Sequence, residues 1–333
     1  MNQLEKTPLA DRSGRSISYL RLSVTDRCDF RCTYCMPTSA RFMPREQLMT
    51  LEENLELVRV FVGMGVRKVR LTGGEPLVRK GLTSLVRNIA ALPEAPDVVL
   101  TTNGSQLEKH AQVLKAAGLS RINVSLDSLD SDNFRKITHG GKLEQVLDGL
   151  FAAQQAGFER IKLNVVAMRG VNDHELVPLV EFAIRHGFNI SFVEEMPFGD
   201  AGRNRQNSFM SSDEVKKSVQ AAFQLVPTTE TTGGPARYYR VPGTETRIGF
   251  ISPHSHNFCN SCNRLRVAAT GELYTCLASN TTVPLLPLLR SGDFDPAQVR
   301  EAILRAIDNK PTGHDFGNKL AYQTVRFMSK TGG

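Results

Sequence analysis

The sequence predicts an α/β fold on a parallel sheet, because strand-like runs alternate with helical patterns from about residue 17 to residue 195. Six strand–helix units recur at intervals of about 25–40 residues, as in a doubly wound sheet or a barrel. Six units are fewer than the eight of a closed barrel, so a barrel would be partial. No Gly-x-Gly-x-x-Gly motif follows an early strand, which disfavours a dinucleotide-binding fold.

The predicted elements of this region follow one another in regular order. The strands are expected at Ser18–Thr25, Arg67–Thr72, Val98–Thr102, Arg121–Leu126, Arg160–Val166 and Asn189–Glu194. The helices are expected at Leu51–Gly63, Gly81–Ala91, Leu107–Ala117, Lys142–Ala156 and His174–His186. Gly118, Gly157 and Gly187 follow three of these helices and are predicted to end them as C-terminal caps.

The pattern changes after Met196, which indicates a second part of different construction. Its expected elements are a helix at Ser211–Phe223, a loop at Val226–Pro235, strands at Tyr238–Val241, Arg247–Ile251 and Arg264–Ala268, and a helix at Pro296–Ile307. We therefore expect a core over residues 15–225 and a C-terminal region over residues 236–333.

Composition narrows the range of functions. Hydrophobic residues make up 41% and charged residues 23%, which is ordinary for a globular protein. No apolar run reaches the roughly 20 residues that span a bilayer, and the N-terminal segment lacks a signal-peptide core, so we expect a cytoplasmic protein and no membrane partner. The net charge of +7 suggests an anionic ligand, but without a block of basic residues a DNA partner is not expected.

All six cysteines fall into two triplets. Cys28, Cys32 and Cys35 are spaced C-x3-C-x2-C directly after the first strand, and Cys259, Cys262 and Cys276 are spaced C-x2-C-x13-C. Disulfides are disfavoured in a long cytosolic chain. Grouped thiolates indicate metal ligation, and three of them leave a metal centre one ligand short, open to another molecule.

Zinc and iron–sulfur clusters both suit such thiolates. His254 and His256 lie beside Cys259, so a structural zinc site with three cysteines and one histidine remains open for the second triplet. The first triplet has no nearby histidine, and its spacing is not that of a zinc ribbon.

Two motifs resemble the radical S-adenosylmethionine (SAM) superfamily. The first is the cysteine loop with Tyr34 before its last cysteine, and the second is Gly73-Gly74-Glu75-Pro76 after the next strand. Further segments resemble the MoaA family, the GTP 3′,8-cyclases of molybdenum cofactor biosynthesis: Leu20–Asp26, Val69–Thr72, Thr101–Gly104, Ile122–Asp127 and Cys259–Arg266. The resemblance extends from about residue 15 to the C-terminus, including the final Gly332-Gly333.

The resemblance implies a partial (β/α)6 TIM-like barrel whose open side is closed by a C-terminal α+β region. It implies a lyase in which a SAM-derived 5′-deoxyadenosyl radical abstracts H3′ of GTP and C3′ bonds to guanine C8. The product, 3′,8-cyclo-7,8-dihydro-GTP, is the first intermediate of molybdopterin biosynthesis. The implied cofactors are SAM and two [4Fe–4S] clusters. The implied partners are GTP, an electron donor and the next enzyme of the pathway, and a homodimer is left open.

The resemblance also assigns roles to individual residues. The first cluster falls to Cys28, Cys32 and Cys35, and the second to Cys259, Cys262 and Cys276. SAM contacts fall to Tyr34, Gly74, Ser125 and Met196. GTP contacts fall to Arg21, Arg70, Thr101, Lys162, Arg264 and Arg266, the last two being also the catalytic pair.

One position departs from the family pattern, because Ser191 stands where an arginine is often found. We expect this phosphate contact to be either lost or supplied elsewhere, with Lys68 and Arg203 as the candidates. The alternative function is a radical SAM enzyme that modifies a peptide or RNA and carries an auxiliary cluster. A third hypothesis is a non-enzymatic binding protein with structural zinc.

Overall fold

The computed structural model describes residues 9–198, 205–314 and 327–332. Its strands are β1 (Tyr19–Ser23), β2 (Lys68–Thr72), β3 (Asp97–Thr102), β4 (Arg121–Ser125), β5 (Ile161–Ala167), β6 (Asn189–Glu194), β7 (Val226–Pro227), β8 (Arg237–Arg240), β9 (Arg247–Ile251), β10 (Arg264–Val267), β11 (Glu272–Tyr274) and β12 (Val283–Pro284).

The helices cover one face of this sheet or join its strands. They are α1 (Leu51–Gly63), α2 (Leu82–Ala90), α3 (Leu107–Ala116), α4 (Ser131–Thr138), α5 (Leu143–Gln155), α6 (Leu176–His186), α7 (Arg205–Ser208), α8 (Ser212–Gln220), α9 (Leu286–Leu289), α10 (Pro296–Asp308) and α11 (Met328–Thr331). Among the described residues, no helix is long and apolar enough to cross a bilayer.

The strands form one sheet in the order β12-β11-β10-β1-β2-β3-β4-β5-β6-β9-β8-β7. Strands β1 to β6 are parallel neighbours in chain order, as strand–helix units require. The C-terminal region extends both edges, since β10 pairs parallel with β1 and β9 pairs parallel with β6. This confirms the predicted partial barrel with a C-terminal region at its open side.

Helix boundaries agree with local chemistry. Thr50 caps α1 in a capping box with Glu53, and Ser211 caps α8 in the same way with Glu214. The three glycines predicted to end helices all have positive φ, at 95°, 84° and 69° for residues 118, 157 and 187.

The sequence analysis missed α4, because its eight residues are mostly polar and too short to show a helical period. Asp130 caps this helix, and Phe134 is its buried anchor, with a ring that meets Phe30 edge-on at 6.0 Å. The end of α4 also accepts two backbone hydrogen bonds from the first cysteine loop, Arg31 to Thr138 and Thr33 to Ile137, both at 2.9 Å. The helix therefore supports the loop that carries the first triplet.

We expect Phe134→Ala to lower the free energy of unfolding by about 3–5 kcal/mol, because it empties a buried aromatic site under the cysteine loop. Lys136→Ala on the exposed face of the same helix should change it by no more than about 0.5 kcal/mol. Urea denaturation of both variants measures the difference. Equal stability of the two variants would contradict the supporting role of α4.

Candidate active site

The first cysteine triplet lies at the carboxyl end of the barrel, just after β1. All three thiols are unpaired and partly buried. Burial raises the pKa of the Cys28 thiol to about 12, and the carboxylates of Glu75 and Asp29 add to this effect. Burial raises the pKa of Cys35 to about 11, partly offset by the backbone N–H of Ser329.

The donor set fits an iron–sulfur cluster better than a single ion. Among the described residues, no three His, Cys, Asp or Glu side chains converge as they would around one metal ion. In a cluster each thiolate binds a different iron, so the sulfurs stand farther apart than around one ion. Three unpaired cysteines on one loop can supply such ligands.

The glycine motif after β2 packs directly against this loop. The N–H of Gly74 donates to the Thr25 carbonyl at 2.8 Å. A Cβ on Gly74 would lie 2.3 Å from the Arg27 carbonyl oxygen, and one on Gly73 would lie 2.5 Å from that of Thr25. Both positions therefore require glycine for the close approach of two backbones.

Glu75, which the sequence analysis did not single out, ties the ends of two strands together. It is fully buried, and its carboxylate accepts hydrogen bonds from Thr102 Oγ1 at 2.7 Å and from the N–H of Asn103 at 2.6 Å. Burial raises its pKa to about 7, against the lowering by these hydrogen bonds. The sequence did offer a signal for this role, namely the Glu within the Gly-Gly-Glu-Pro motif. A carboxylate buried at a strand end needs hydrogen-bond donors from neighbouring strands.

The four predicted SAM residues all lie at the carboxyl end of the barrel. Tyr34 donates a hydrogen bond to Asp127 at 2.7 Å, and Asp127 also accepts one from the N–H of Val166 at 2.8 Å. Gly74 follows β2, Ser125 ends β4, and Met196 follows β6. The structure thus brings these residues to one end of the sheet, beside the first triplet.

Three arginines form a row inside the barrel across three adjacent strands. Arg21 on β1 is in register with Arg266 on β10 and with Arg70 on β2. Arg70 and Arg266 are only 7% and 8% exposed. Neighbouring strands lie about 4.8 Å apart, so this row concentrates positive charge in a buried space.

The pKa values in this row reflect that crowding. Burial, with Arg70 and Arg264 nearby, lowers the pKa of Arg21 to about 10. Burial, together with Arg21 and Arg264, holds the pKa of Arg266 well below its usual range. Buried cations that repel one another are stabilised by an anionic ligand, so this row is suited to binding one.

Tyr19, which the sequence analysis missed, lies among these cations. Arg70 Nε donates to its hydroxyl, and the guanidinium carbons of Arg70 and Arg264 each lie 5.8 Å from the ring centroid. Burial would raise the pKa of Tyr19, but Arg70, Arg21 and Arg264 lower it to about 7. The sequence did offer a signal, because Tyr19 lies two residues before the inward Arg21 on the same strand and so faces the same side of the sheet.

Thr101 and Lys162 extend the polar lining toward later strands. Arg70 Nη1 donates to Thr101 Oγ1 at 2.9 Å. Lys162 Nζ donates to the Tyr238 hydroxyl at 3.4 Å, and burial lowers the pKa of this lysine. All six predicted GTP residues therefore lie on inward-facing or strand positions of β1, β2, β3, β5 and β10.

Ser191, the departure from the family pattern, faces Tyr238 and Gly249. A Cβ on Gly249 would lie 2.6 Å from Ser191 Oγ and 2.9 Å from Tyr238 Cε1, so the ring of Tyr238 fills this space. Lys68 Nζ donates to the Thr232 carbonyl at 2.6 Å and lies 3.4 Å from Asp97. Arg203 lies outside the described residues.

The second triplet lies at the opposite end of the barrel. Cys262 comes just before β10, which runs parallel to β1, whereas the first triplet follows β1. His256 Nε2 lies 2.8 Å from Asp213 Oδ2, and the ring of His254 packs edge-on against Phe209. Neither histidine joins the cysteines around a single ion among the described residues, so the structure gives the zinc hypothesis no support.

The C-terminal tail enters the barrel between the two ends. The carbonyl of Gly332 accepts hydrogen bonds from Arg21 Nη2 at 3.1 Å, Thr72 Oγ1 at 3.2 Å and Arg266 Nη1 at 3.4 Å. Its φ of 78° and the 2.9 Å separation of a Cβ from Thr72 Cγ2 favour glycine here. Gly333 lies outside the described residues.

Two protein families match the chain. The Radical SAM superfamily matches residues 22–183, and the family described as Molybdenum Cofactor Synthesis C matches residues 188–316. The first match ends within α6, and the second begins just before β6, the sixth barrel strand.

Solved structures show the fold. Crystal structures of Streptococcus suis SuiB align with TM-scores of 0.65 when bound to precursor peptide SuiA and 0.61 when bound to S-adenosylmethionine. They cover 94% and 85% of this chain and 75% and 68% of theirs, at 14% identity.

Relatives of known name match over almost the whole chain. A GTP 3′,8-cyclase of Ectopseudomonas mendocina is 51% identical over 98% of this chain and 98% of its own length. GTP 3′,8-cyclase 1 of Pseudomonas aeruginosa is 53% identical over 98% of this chain and its full length. With 53% identity across both the SAM part and the molybdenum cofactor part, the chain belongs to the GTP 3′,8-cyclase family of radical SAM proteins.

Proposed function

We propose that this chain converts GTP to 3′,8-cyclo-7,8-dihydro-GTP, the first step of molybdenum cofactor biosynthesis. The observation that carries the proposal is the buried row of Arg21, Arg70 and Arg266, which lies between two incomplete cysteine sites. A triphosphate supplies the anion that Arg21 and Arg70 need, since guanidinium groups bind phosphate oxygens in pairs, and Arg266 at the end of the row would face the guanine. The names of the relatives supply the nucleotide and the reaction.

The two triplets are proposed to hold one [4Fe–4S] cluster each, the first by Cys28, Cys32 and Cys35 and the second by Cys259, Cys262 and Cys276. When bound, the first cluster and SAM would supply the 5′-deoxyadenosyl radical needed to abstract H3′ of GTP and so permit the bond between C3′ and guanine C8. The protein's own part is to position the reactants and to exclude water.

The residues at the carboxyl end are proposed to hold SAM. The close packing of Gly73 and Gly74 on the cysteine loop holds the glycine motif beside the first triplet, where its backbone carbonyls would accept hydrogen bonds from the SAM amino group. The hydrogen bond to Asp127 fixes the Tyr34 side chain beside that site. Ser125 and Met196 line the same end, from β4 and from the loop after β6.

The residues deeper in the barrel are proposed to hold GTP. Arg21, Arg70, Thr101 and Lys162 would bind the triphosphate, because they line the interior of four strands. Arg264 and Arg266 would hold the guanine end against the second cluster, because they begin β10 just after Cys262. Tyr238, in contact with Lys162, occupies the space beside Ser191, where an arginine would otherwise lie.

The remaining features of the proposal concern assembly and partners. Residues 15–225 would form the SAM-binding core, and residues 236–333 would supply the second cluster and the guanine contacts. The reaction would require an electron donor, and the next enzyme of the pathway would take up its product. Because all six cysteines are unpaired and must stay reduced to bind iron, a reducing compartment such as the cytoplasm is part of the proposal.

Anaerobic reconstitution tests this function. We expect roughly eight iron and eight sulfide per chain, as two [4Fe–4S] clusters require. We also expect release of 5′-deoxyadenosine with SAM, a reductant and GTP, and much less with ATP in place of GTP. Iron enough for only one cluster, together with no 5′-deoxyadenosine, would refute the proposal.

A pair of variants serves as a control for this assay. Arg266→Met removes one member of the buried row and should abolish GTP-dependent release of 5′-deoxyadenosine. Arg87→Met removes an exposed arginine from α2 and should leave it unchanged.

Tyr19 makes GTP binding depend on pH. In the free protein its pKa is lowered to about 7, so above that pH a phenolate competes with the triphosphate for the arginines. Bound triphosphate would raise this pKa again, so binding takes up a proton and weakens as pH rises. We expect the dissociation constant to increase by up to about tenfold per pH unit above pH 7.

Calorimetry in two buffers of different ionisation enthalpy measures this proton uptake. Tyr19→Phe keeps the ring and should take up less than the wild type and show a flatter pH profile. Equal proton uptake by wild type and Tyr19→Phe would rule out a role for the Tyr19 phenol.

A further inference from the structure

Lys310 lies just after α10 and is almost completely buried, at 7% exposure. Its ammonium group has three N–H donors. They reach Cys262 Sγ at 3.5 Å, the Arg264 carbonyl at 3.2 Å and the Thr275 carbonyl. Every donor of this lysine is thus directed at the segments that carry the second triplet.

These three acceptors belong to, or lie next to, two of the three cysteines of the second triplet. Cys262 is bonded directly, Arg264 follows it at the start of β10, and Thr275 immediately precedes Cys276. One buried cation therefore connects both sides of the second triplet. Because the Lys310 side chain is buried, its ammonium group stays beside the triplet and does not extend into solvent.

A second buried cation holds the third cysteine and the lysine itself. Arg15 Nη1 donates to the Cys259 carbonyl at 2.8 Å, and its Nη2 donates to the carbonyls of Lys310 at 3.3 Å and Pro311 at 2.8 Å. Its Nε donates to Asp11 Oδ2 at 2.5 Å. The Lys310 backbone is thus anchored, which fixes the ammonium group relative to Cys262 Sγ.

The first triplet has a different environment. The side-chain donors at this triplet are uncharged: Asn103 Nδ2 lies 3.8 Å from Cys28 Sγ, and the Tyr34 hydroxyl bonds to Cys32. Glu75 and Asp29 lie near Cys28 and Asp127 lies near Cys32, whereas Arg205 lies near Cys35. Two of the three thiols at this end therefore face carboxylates, whereas Cys262 of the second triplet faces the ammonium group of Lys310.

Hydrogen bonds and positive charge at a ligating sulfur stabilise the more negative, reduced form of an iron–sulfur cluster and so raise its reduction potential. The added charge is one electron, and no covalent bond forms or breaks. A buried ammonium group acts strongly because little solvent screens it.

We propose that Lys310 is a positioning residue that raises the reduction potential of the second cluster through its hydrogen bond to Cys262. The proposal rests on the function proposed above, which places a cluster at this triplet. In the intact enzyme the second cluster would accept an electron more readily than the first.

The test isolates the second cluster in the full-length chain by replacing Cys28, Cys32 and Cys35 with alanine. The reduced and oxidised fractions are followed by EPR during a potentiometric titration with dithionite and mediators. In Lys310→Met we expect the ratio of reduced to oxidised cluster at a fixed potential to fall at least tenfold, equivalent to about 59 mV for one electron. Lys310→Arg, which keeps the charge, should restore most of it.

Lys109→Met, on the exposed face of α3, is the control for loss of a lysine elsewhere and should not change the ratio. A cluster that is fully loaded in Lys310→Met and titrates as in the parent would overturn the proposal. Absence of iron and sulfide from the parent protein would refute the second cluster itself. The two failures are thereby distinguished.

If Lys310→Met does not retain the cluster, pulsed EPR of the reduced parent grown with ¹⁵N-lysine replaces the titration. A ¹⁵N coupling to the cluster that disappears in Lys310→Arg would support the hydrogen bond. No ¹⁵N coupling in the parent would overturn the proposal.

Discussion

The row of Arg21, Arg70 and Arg266 is the constraint on which the rest of the structure depends. Two like charges about 5 Å apart repel by roughly 3 kcal/mol even at an effective dielectric constant near 20. The parallel pairing of β10 with β1 aligns the arginines of these two strands in the row. The Gly332 carbonyl and Tyr19 offer partial negative charge, which offsets part of the repulsion between the three arginines. The interior is therefore prepared for a polyanion before the substrate arrives.

The direction of the strands gives this interior two different ends. Because β1 and β10 are parallel, the cysteines after one and before the other must lie at opposite ends. The first end is rich in carboxylates and in glycine backbone, suited to a cationic sulfonium and an amino group. The second end is rich in buried cations, suited to holding a cluster close to the guanine of a nucleotide. On the proposed function, a substrate between them would meet the radical source on one side and its own anchor on the other.

Local patterns predicted the elements and much of the site, but not the contacts made across long distances in sequence. The bounds of α1 and β6 were predicted to the residue, because capping residues and apolar periods are local. The helix α4 was missed because a short polar helix is held by tertiary contacts.

The sequence analysis missed three functional residues because their partners lie 27 to 51 residues away in the chain. The pairs are Glu75 with Thr102, Tyr19 with Arg70, and Lys310 with Cys262. Pairing of β10 with β1 could not be inferred either, since 245 residues separate the paired positions in the chain, as for Ser18 and Asn263 beside them.

GTP labelled with deuterium at C3′ provides the most direct test of this account. The barrel should hold C3′ within reach of the SAM end while Arg264 and Arg266 hold the guanine at the other. Mass spectrometry of the 5′-deoxyadenosine released by the reconstituted enzyme should then show the transferred deuterium. Release of unlabelled 5′-deoxyadenosine, with all deuterium retained in the nucleotide, would contradict the account.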